Sequence, residues 1–318
     1  MKSLLCGAMV SIFCLGMTTT ARAHLSTDLP QPWVLASWDE VVGRVIREEG
    51  DSEGPKSFAM KPCGGVLILD QVNQRVLNLD PDGNFVGSID LPAPTYDDLE
   101  IFDGQAILVL DRLGTRTLLV LDMGGALIAK VDLEGRGITN SGLITAMFPR
   151  PDGVWLEVEN RYSVRVLDRQ LQPAQRRIVL GRPTLANRSL HAKLDRRGGV
   201  SLSISEPNEP ASKAPVTLAA PSPIRRIVWL DQDASGNVYI VLHEAEFSHK
   251  EPYPLVFEQY QLLMLNENLE ELARRESPWV LTALDQRVEF RLGGEGELVQ
   301  MAFSPQGVAL MRFYMGWP

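Results

Sequence analysis

The sequence predicts an all-β protein, a six-bladed β-propeller of four-stranded antiparallel blades, and three observations predict it. Short apolar runs of strand length, separated by turn residues, recur along the chain. A glycine set just before such a run returns at Gly65, Gly104, Gly153, Gly199, Gly236 and Gly307, at intervals of 39, 49, 46, 37 and 71 residues, and all but the last bracket a blade period. The sixth copy then runs out of chain at Pro318, while the N-terminal part carries a strand-like segment that belongs to no copy.

Residues 1–23 read as a signal peptide, with Lys2, an apolar run from Leu4 to Met17, and small residues at Ala21 and Ala23 beside the expected cleavage point. No later segment approaches the ~20 apolar residues of a membrane-spanning helix. The expectation is an exported protein, periplasmic or extracellular, with residues 24–318 as a single domain and no membrane span once the signal is removed. Loss of Lys2 and Arg22 would take the formal charge from −9 to about −11. An acidic chain without basic clusters argues against nucleic acid and anionic membranes as partners, because both recruit clustered Lys and Arg. Cys63 would be the single cysteine left, so no internal disulfide is expected.

The orphan segment, residues 33–46, has a strand-turn-strand shape and is expected to complete the last blade together with residues 296–314, closing the ring and hiding the sheet edges. Blade one is the clearest copy. Phe58-Ala59-Met60 is followed by a Pro-Cys-Gly-Gly turn, then Val66 to Leu69 as a continuous apolar strand, Arg75 to Leu79, the strong turn Asp80-Pro81-Asp82-Gly83, and Asn84 to Leu91.

In the residues FAM, GGVLILDQVNQRV and DPDGNFV, with their D-x-x-N-x-R-V frame, blade one resembles the NHL-repeat propellers. That resemblance implies a fold more than an activity, since propellers host unrelated functions. It also brings two catalytic possibilities: some such propellers are zinc lyases whose histidines meet in the central channel, and lactonase-like propellers hold calcium with a ring of carboxylates.

The later blades follow in order. Their first strands are expected at Leu99 to Phe102, Ile144 to Phe148, Leu190 to Leu194, Ile227 to Leu230 and Val299 to Phe303, each followed by a second apolar run. A seventh blade would need strands from Trp279 to Leu292. Three elaborations stand out: a Pro-rich loop after Ser205, an insert from His243 to about Phe257, and the stretch from Glu276 to Gly296. Loops joining second to third strands and blade to blade leave a propeller on one face, so the three would cluster over blades four to six as a binding surface. His243, Glu244, Tyr253 and Trp279 are the candidate contacts there, for a protein, peptide or glycan.

Candidate chemistry is sparse. His243, Glu246 and His249 in the insert are the candidate ligands for a divalent metal, although six residues between the histidines is no established metal spacing. His191, on an inner strand level with Thr145 and Gln300, and Glu100 are the candidate catalytic groups at the channel. Asp70, Asp111 and Asp168 at strand ends are expected to cap backbone N–H groups. There is no nucleophile elbow, phosphate loop or H-E-x-x-H. A non-catalytic binding propeller is thus the leading expectation, and a metal-dependent lyase or lactonase-like hydrolase the alternative.

Overall fold

The second strand of a blade is where burial is deepest. Val66–Asp70, Ala106–Asp111 and Gly153–Val158 are buried at every position. An unbroken apolar run suits such a strand because neighbouring blades cover both faces of its sheet. Outward the sequence turns polar, and the outermost strands Phe85–Asp90 and Leu127–Asp132 are largely exposed.

The computed structural model describes residues 32–46, 52–209, 214–278 and 284–316. Residues 1–23, expected from the sequence to be a signal peptide, residues 210–213 of the Pro-rich loop, Trp279 and Trp317 lie outside them.

Six blades are present. Blade one comprises Ser57–Met60, Val66–Asp70, Arg75–Leu79 and Phe85–Asp90. Blade two comprises Asp98–Phe102, Ala106–Asp111, Thr117–Asp122 and Leu127–Asp132. Blade three comprises Ile144–Arg150, Gly153–Val158, Tyr162–Asp168 and Ile178–Leu180. Each is an antiparallel meander. Blade five is the longest, with Ile224–Gln232, Val238–Phe247, Leu255–Leu265 and Glu271–Ser277.

Blade four reaches four strands by another route. Ser189–Leu194, Val200–Ser205 and Val216–Leu218 form its first three strands. The fourth member is the short Arg182–Pro183, paired to Ser189 and Leu190 on the side away from the second strand.

Blade six closes the ring, in a frame shifted by one strand from expectation. Its first strand is Phe290–Leu292, followed by Glu297–Phe303 and Gly307–Tyr314, and Val34–Ser37 pairs outside the last. One N-terminal strand closes the blade rather than a pair. The turn between first and second strands carries Gly296 at φ +78, which makes Gly296 and not Gly307 the repeat glycine and accounts for the long last interval. Residues 290–292 therefore belong to blade six and found no seventh.

Packing between blades supplies the core. Phe102, Leu108 and Val120 of blade two meet Met147, Leu156 and Val166 of blade three. Phe58, Ile68 and Leu77 of blade one meet Met301 and Phe303 of blade six, with Val34 and Trp38 from the closing segment. Burying a side chain of this size stabilises by roughly 1.5–3 kcal/mol. Trp38 also donates to the Ser304 carbonyl at 2.8 Å, so the closing strand is held by polar and apolar contacts together.

The glycine repeat has a steric cause at Gly153. Its φ is +136, and a Cβ there would stand 2.0 Å from the Leu167 carbonyl oxygen on the next strand. The acidic repeat has a cause too. Asp168 Oδ1 accepts from the Gln170 and Gln172 N–H groups, both at 2.9 Å; Asp111 accepts from Gly114 and Thr115, and Asp70 from Gly43. All three cap backbone donors, as expected from their positions.

Candidate functional site in the central channel

Where the first strands converge, arginine–carboxylate pairs tie neighbouring and non-neighbouring blades together across the channel. Arg150 of blade three donates to Asp231 of blade five at 2.5 Å and to the Pro183 carbonyl of blade four at 2.7 Å. Arg182 of blade four grips Glu157 of blade three with two bonds, 3.1 and 2.8 Å, and donates to the Leu230 carbonyl of blade five. Arg291 of blade six reaches the Phe58 carbonyl of blade one at 3.0 Å, Asp98 of blade two at 2.8 Å and Glu100 at 3.1 Å. Arg287 donates to the Ile144 carbonyl at 3.0 Å and lies 3.8 and 3.9 Å from Asp97 and Asp98. The planar guanidinium, with its five fixed donors, suits a site where one cation must satisfy groups on several blades.

Burial sets the protonation of this network. It pushes the Glu100 carboxyl up to about 7; Arg291 and Arg150 oppose the shift, and Asp98 and Asp231 add to it. Asp97 is raised by burial in spite of Arg287 and Arg112, and burial lowers Arg287. A carboxyl poised near neutrality between two arginines can give or take a proton.

Above these pairs the channel widens into a cavity of about 500 Å³. Its wall includes His191, Lys193, Arg225, Trp229, Arg287 and Glu289. In its wall Arg226 pairs with Glu289 at 2.7 Å, and Tyr260 donates to the same carboxylate. His191 lines the cavity, half-buried, with Nε2 3.0 Å from Ser205 Oγ, and burial lowers its pKa so that the ring is neutral at pH 7. No carboxylate orients it.

Of the residues aligned with His191, Thr145 does line the cavity, and donates to Glu157 at 3.0 Å. Gln300 does not: the strand shift in blade six puts it on a second strand, buried against Ser277 at 2.7 Å.

The insert in blade five is not a loop. Val238–Phe247 and Leu255–Leu265 run on as a long hairpin whose turn is 248–254. His243 is therefore on a strand, 2.7 Å from Glu258 and edge-on to Tyr260. Glu246 and His249 are exposed farther out, and among the described residues no three His, Cys, Asp or Glu converge on a metal site. The candidate set His243, Glu246 and His249 is not brought together, because strand alternation and the turn separate them. Glu244 is fully buried, its pKa raised by burial, with one oxygen accepting from Gln259 at 3.2 Å, so it is no surface contact. Tyr253 is exposed at the turn. Trp279 lies outside the described residues.

Sequence reasoning found Glu100 and His191 and missed the arginines. The signal was present: Asp98, Arg150, Arg182, Asp231, Arg287 and Arg291 lie at or beside the ends of inner strands. Charged residues at strand ends ordinarily mark solvent, and only ring closure turns these ends inward.

No protein-family model matches the chain, and no curated protein matches its sequence. Among solved structures it is similar to a hydrazine synthase chain of Kuenenia stuttgartiensis, at 11% identity and a TM-score of 0.48, covering 81% of this chain and 76% of that one. A virginiamycin B lyase of Staphylococcus aureus matches at 12% identity and TM-score 0.46, covering 86% and 99%. A member of the DUF4221 family from Bacteroides vulgatus matches at 12% and 0.46, covering 91% and 95%. Nothing about activity carries over at such distances; the six-bladed propeller is read from the chain's own strand pairing.

Proposed function

We propose that the protein is an exported binding propeller that takes an extended segment of a partner protein along the projecting hairpin of blade five. One observation carries this reading. Among the described residues, Leu255–Leu265 is paired on its outer side only from Tyr260 onward, and Val238–Phe247 is bonded on its other side only up to Ala245, whose N–H donates to the Pro223 carbonyl at 3.3 Å, leaving 246–247 and 255–259 beyond the blade without a described strand partner on their outer edges. Phe247, Tyr253, Leu255 and Val256 are exposed on it. An open edge with apolar side chains is a template for an added strand, here flanked by Glu246 and Glu258 on the same stretch and by Pro252 and Pro254 in its turn. The acidic chain and the export signal read from residues 1–23 accord with a protein rather than a nucleic acid as partner.

The test is site-specific photocrosslinking in the native cell. A photoreactive residue at Val256, 61% exposed, is compared with one at Leu127, also 61% exposed but on the outer strand of blade two. A discrete adduct at 256 and none at 127 is expected. No adduct at 256, or the same adduct at both positions, would refute the docking edge.

Glu100 supports a second reading, that of an enzyme with acid–base chemistry in the channel, since a carboxyl raised to about 7 beside two arginines has the protonation such work needs. Its test is whether any turnover found for the protein is lost in Glu100→Gln while binding at the hairpin is kept.

A further inference from the structure

The channel carries more positive charge than its own carboxylates occupy. Asp97 is held by Arg112, Asp98 and Glu100 by Arg291, Asp231 by Arg150, Glu157 by Arg182 and Glu289 by Arg226. Arg225 and Lys193 remain, on the first strands of adjacent blades five and four, and both line the cavity. Arg225 uses only Nε, donating to the Ala245 carbonyl at 2.9 Å with its guanidinium 5.6 Å from the Phe247 ring centre. Lys193 has no hydrogen-bond or ion-pair partner among the described residues. Arg287 is already committed, with its Nε 3.8 and 3.9 Å from Asp97 and Asp98 and a terminal nitrogen on the Ile144 carbonyl, so the free charge is that of Arg225 and Lys193.

We propose that this cavity is a binding site for a small organic anion, a carboxylate or phosphate ester carrying an apolar body. The charge is local and opposes the sign of the whole: in a chain of net charge −9, a cavity with unmatched cations does not follow from composition. Lys193 and Arg225 stand exposed on the cavity wall without a carboxylate partner, and an anionic ligand supplies the counter-ion they lack. Phe148, Leu190, Leu194 and Trp229 form the apolar part of the same wall, which calls for more than a bare inorganic ion. A volume of about 500 Å³ lies within the range of small-molecule sites. This goes beyond the proposed docking edge and stands without it.

The test is fluorescence titration of the full folded chain with 8-anilinonaphthalene-1-sulfonate at low salt. Saturable binding at one site is expected, displaced by 1-naphthoate or 1-naphthyl phosphate but not by the uncharged 1-naphthamide; the tighter competitor identifies the headgroup. Lys193→Gln with Arg225→Gln, both at exposed positions so that folding is kept, is expected to weaken the dye and its anionic competitors tenfold or more. Val256→Ser with Phe257→Ser on the hairpin is expected to leave binding unchanged while removing the crosslinked partner, which separates the two proposals. Unchanged affinity in the charge variant, equal displacement by 1-naphthamide, or loss of dye binding in the hairpin variant would overturn the site. Displacement by inorganic phosphate as effective as by 1-naphthoate would also overturn it, because the apolar wall would then contribute nothing.

Discussion

Glu100→Gln isolates the most perturbed acid in the channel, and the structure fixes both the sign and the size of its effect. The folded pKa, about 7, lies above the ordinary glutamate value of 4.5. Below pH 4.5 both folded and unfolded chains hold the proton. Between 4.5 and about 7 the unfolded chain loses it while the folded chain keeps it, so the stability contributed by protonation is lost as pH rises through that window and is gone above it. The full shift corresponds to about 3 kcal/mol at 1.36 kcal/mol per unit. The Glu100 side chain retains 17% exposure, and water at that edge trims the figure toward about 2 kcal/mol. Glutamine mimics the protonated acid at every pH. Urea unfolding of both proteins at pH 5, 6, 7 and 8 should therefore show the variant gaining about 2–3 kcal/mol on the wild type across the series, with every other titration cancelling in the difference. A difference that stays constant, or a variant that loses ground as pH rises, would mean that Arg291 keeps Glu100 ionised throughout and would refute the reasoning.

Arg182→Met should lower stability by about 3–5 kcal/mol, since it strands the Glu157 carboxylate, 5% exposed, in the channel; adding Glu157→Met should recover much of the loss, and urea midpoints check both. Gly153→Ala should cost about 2–4 kcal/mol, because the Leu167 carbonyl already occupies the place of the new Cβ and the backbone sits at positive φ; the thermal midpoint reads it. Ala36→Pro, in the closing strand opposite Val308, should free the N-terminal segment and hasten its proteolysis, with fragment masses locating the first cut before the propeller body is attacked. Val256→Ser, at a side chain 61% exposed, should change stability by less than about 0.5 kcal/mol, and urea unfolding checks it.

The local rules of the chain determined the blades. Val66 to Leu69 reads as a doubly buried strand because its four residues are apolar without alternation, and Asp80-Pro81-Asp82-Gly83 reads as a turn because each residue suits its dihedral or caps a donor. Closure by an N-terminal strand was legible as well, from a segment without a copy of its own and a last copy without its outer strand. The frame of blade six was not: Gly307 mimics a repeat glycine because the Ala36 carbonyl crowds it as the Leu167 carbonyl crowds Gly153. Extension of blade five escaped too, since its polar and apolar residues, His243 to Phe257, alternate no better than a loop would. The arginine pairs of the channel depended on tertiary structure. Arg150 and Asp231 lie 81 residues apart, as do no motif-bearing neighbours, and only the closed ring brings them to 2.5 Å. Glu100 was singled out from the sequence, but its value of about 7 arises in the same way, since a carboxyl between Leu99 and Ile101 becomes a poised acid only once six blades shut water away from it.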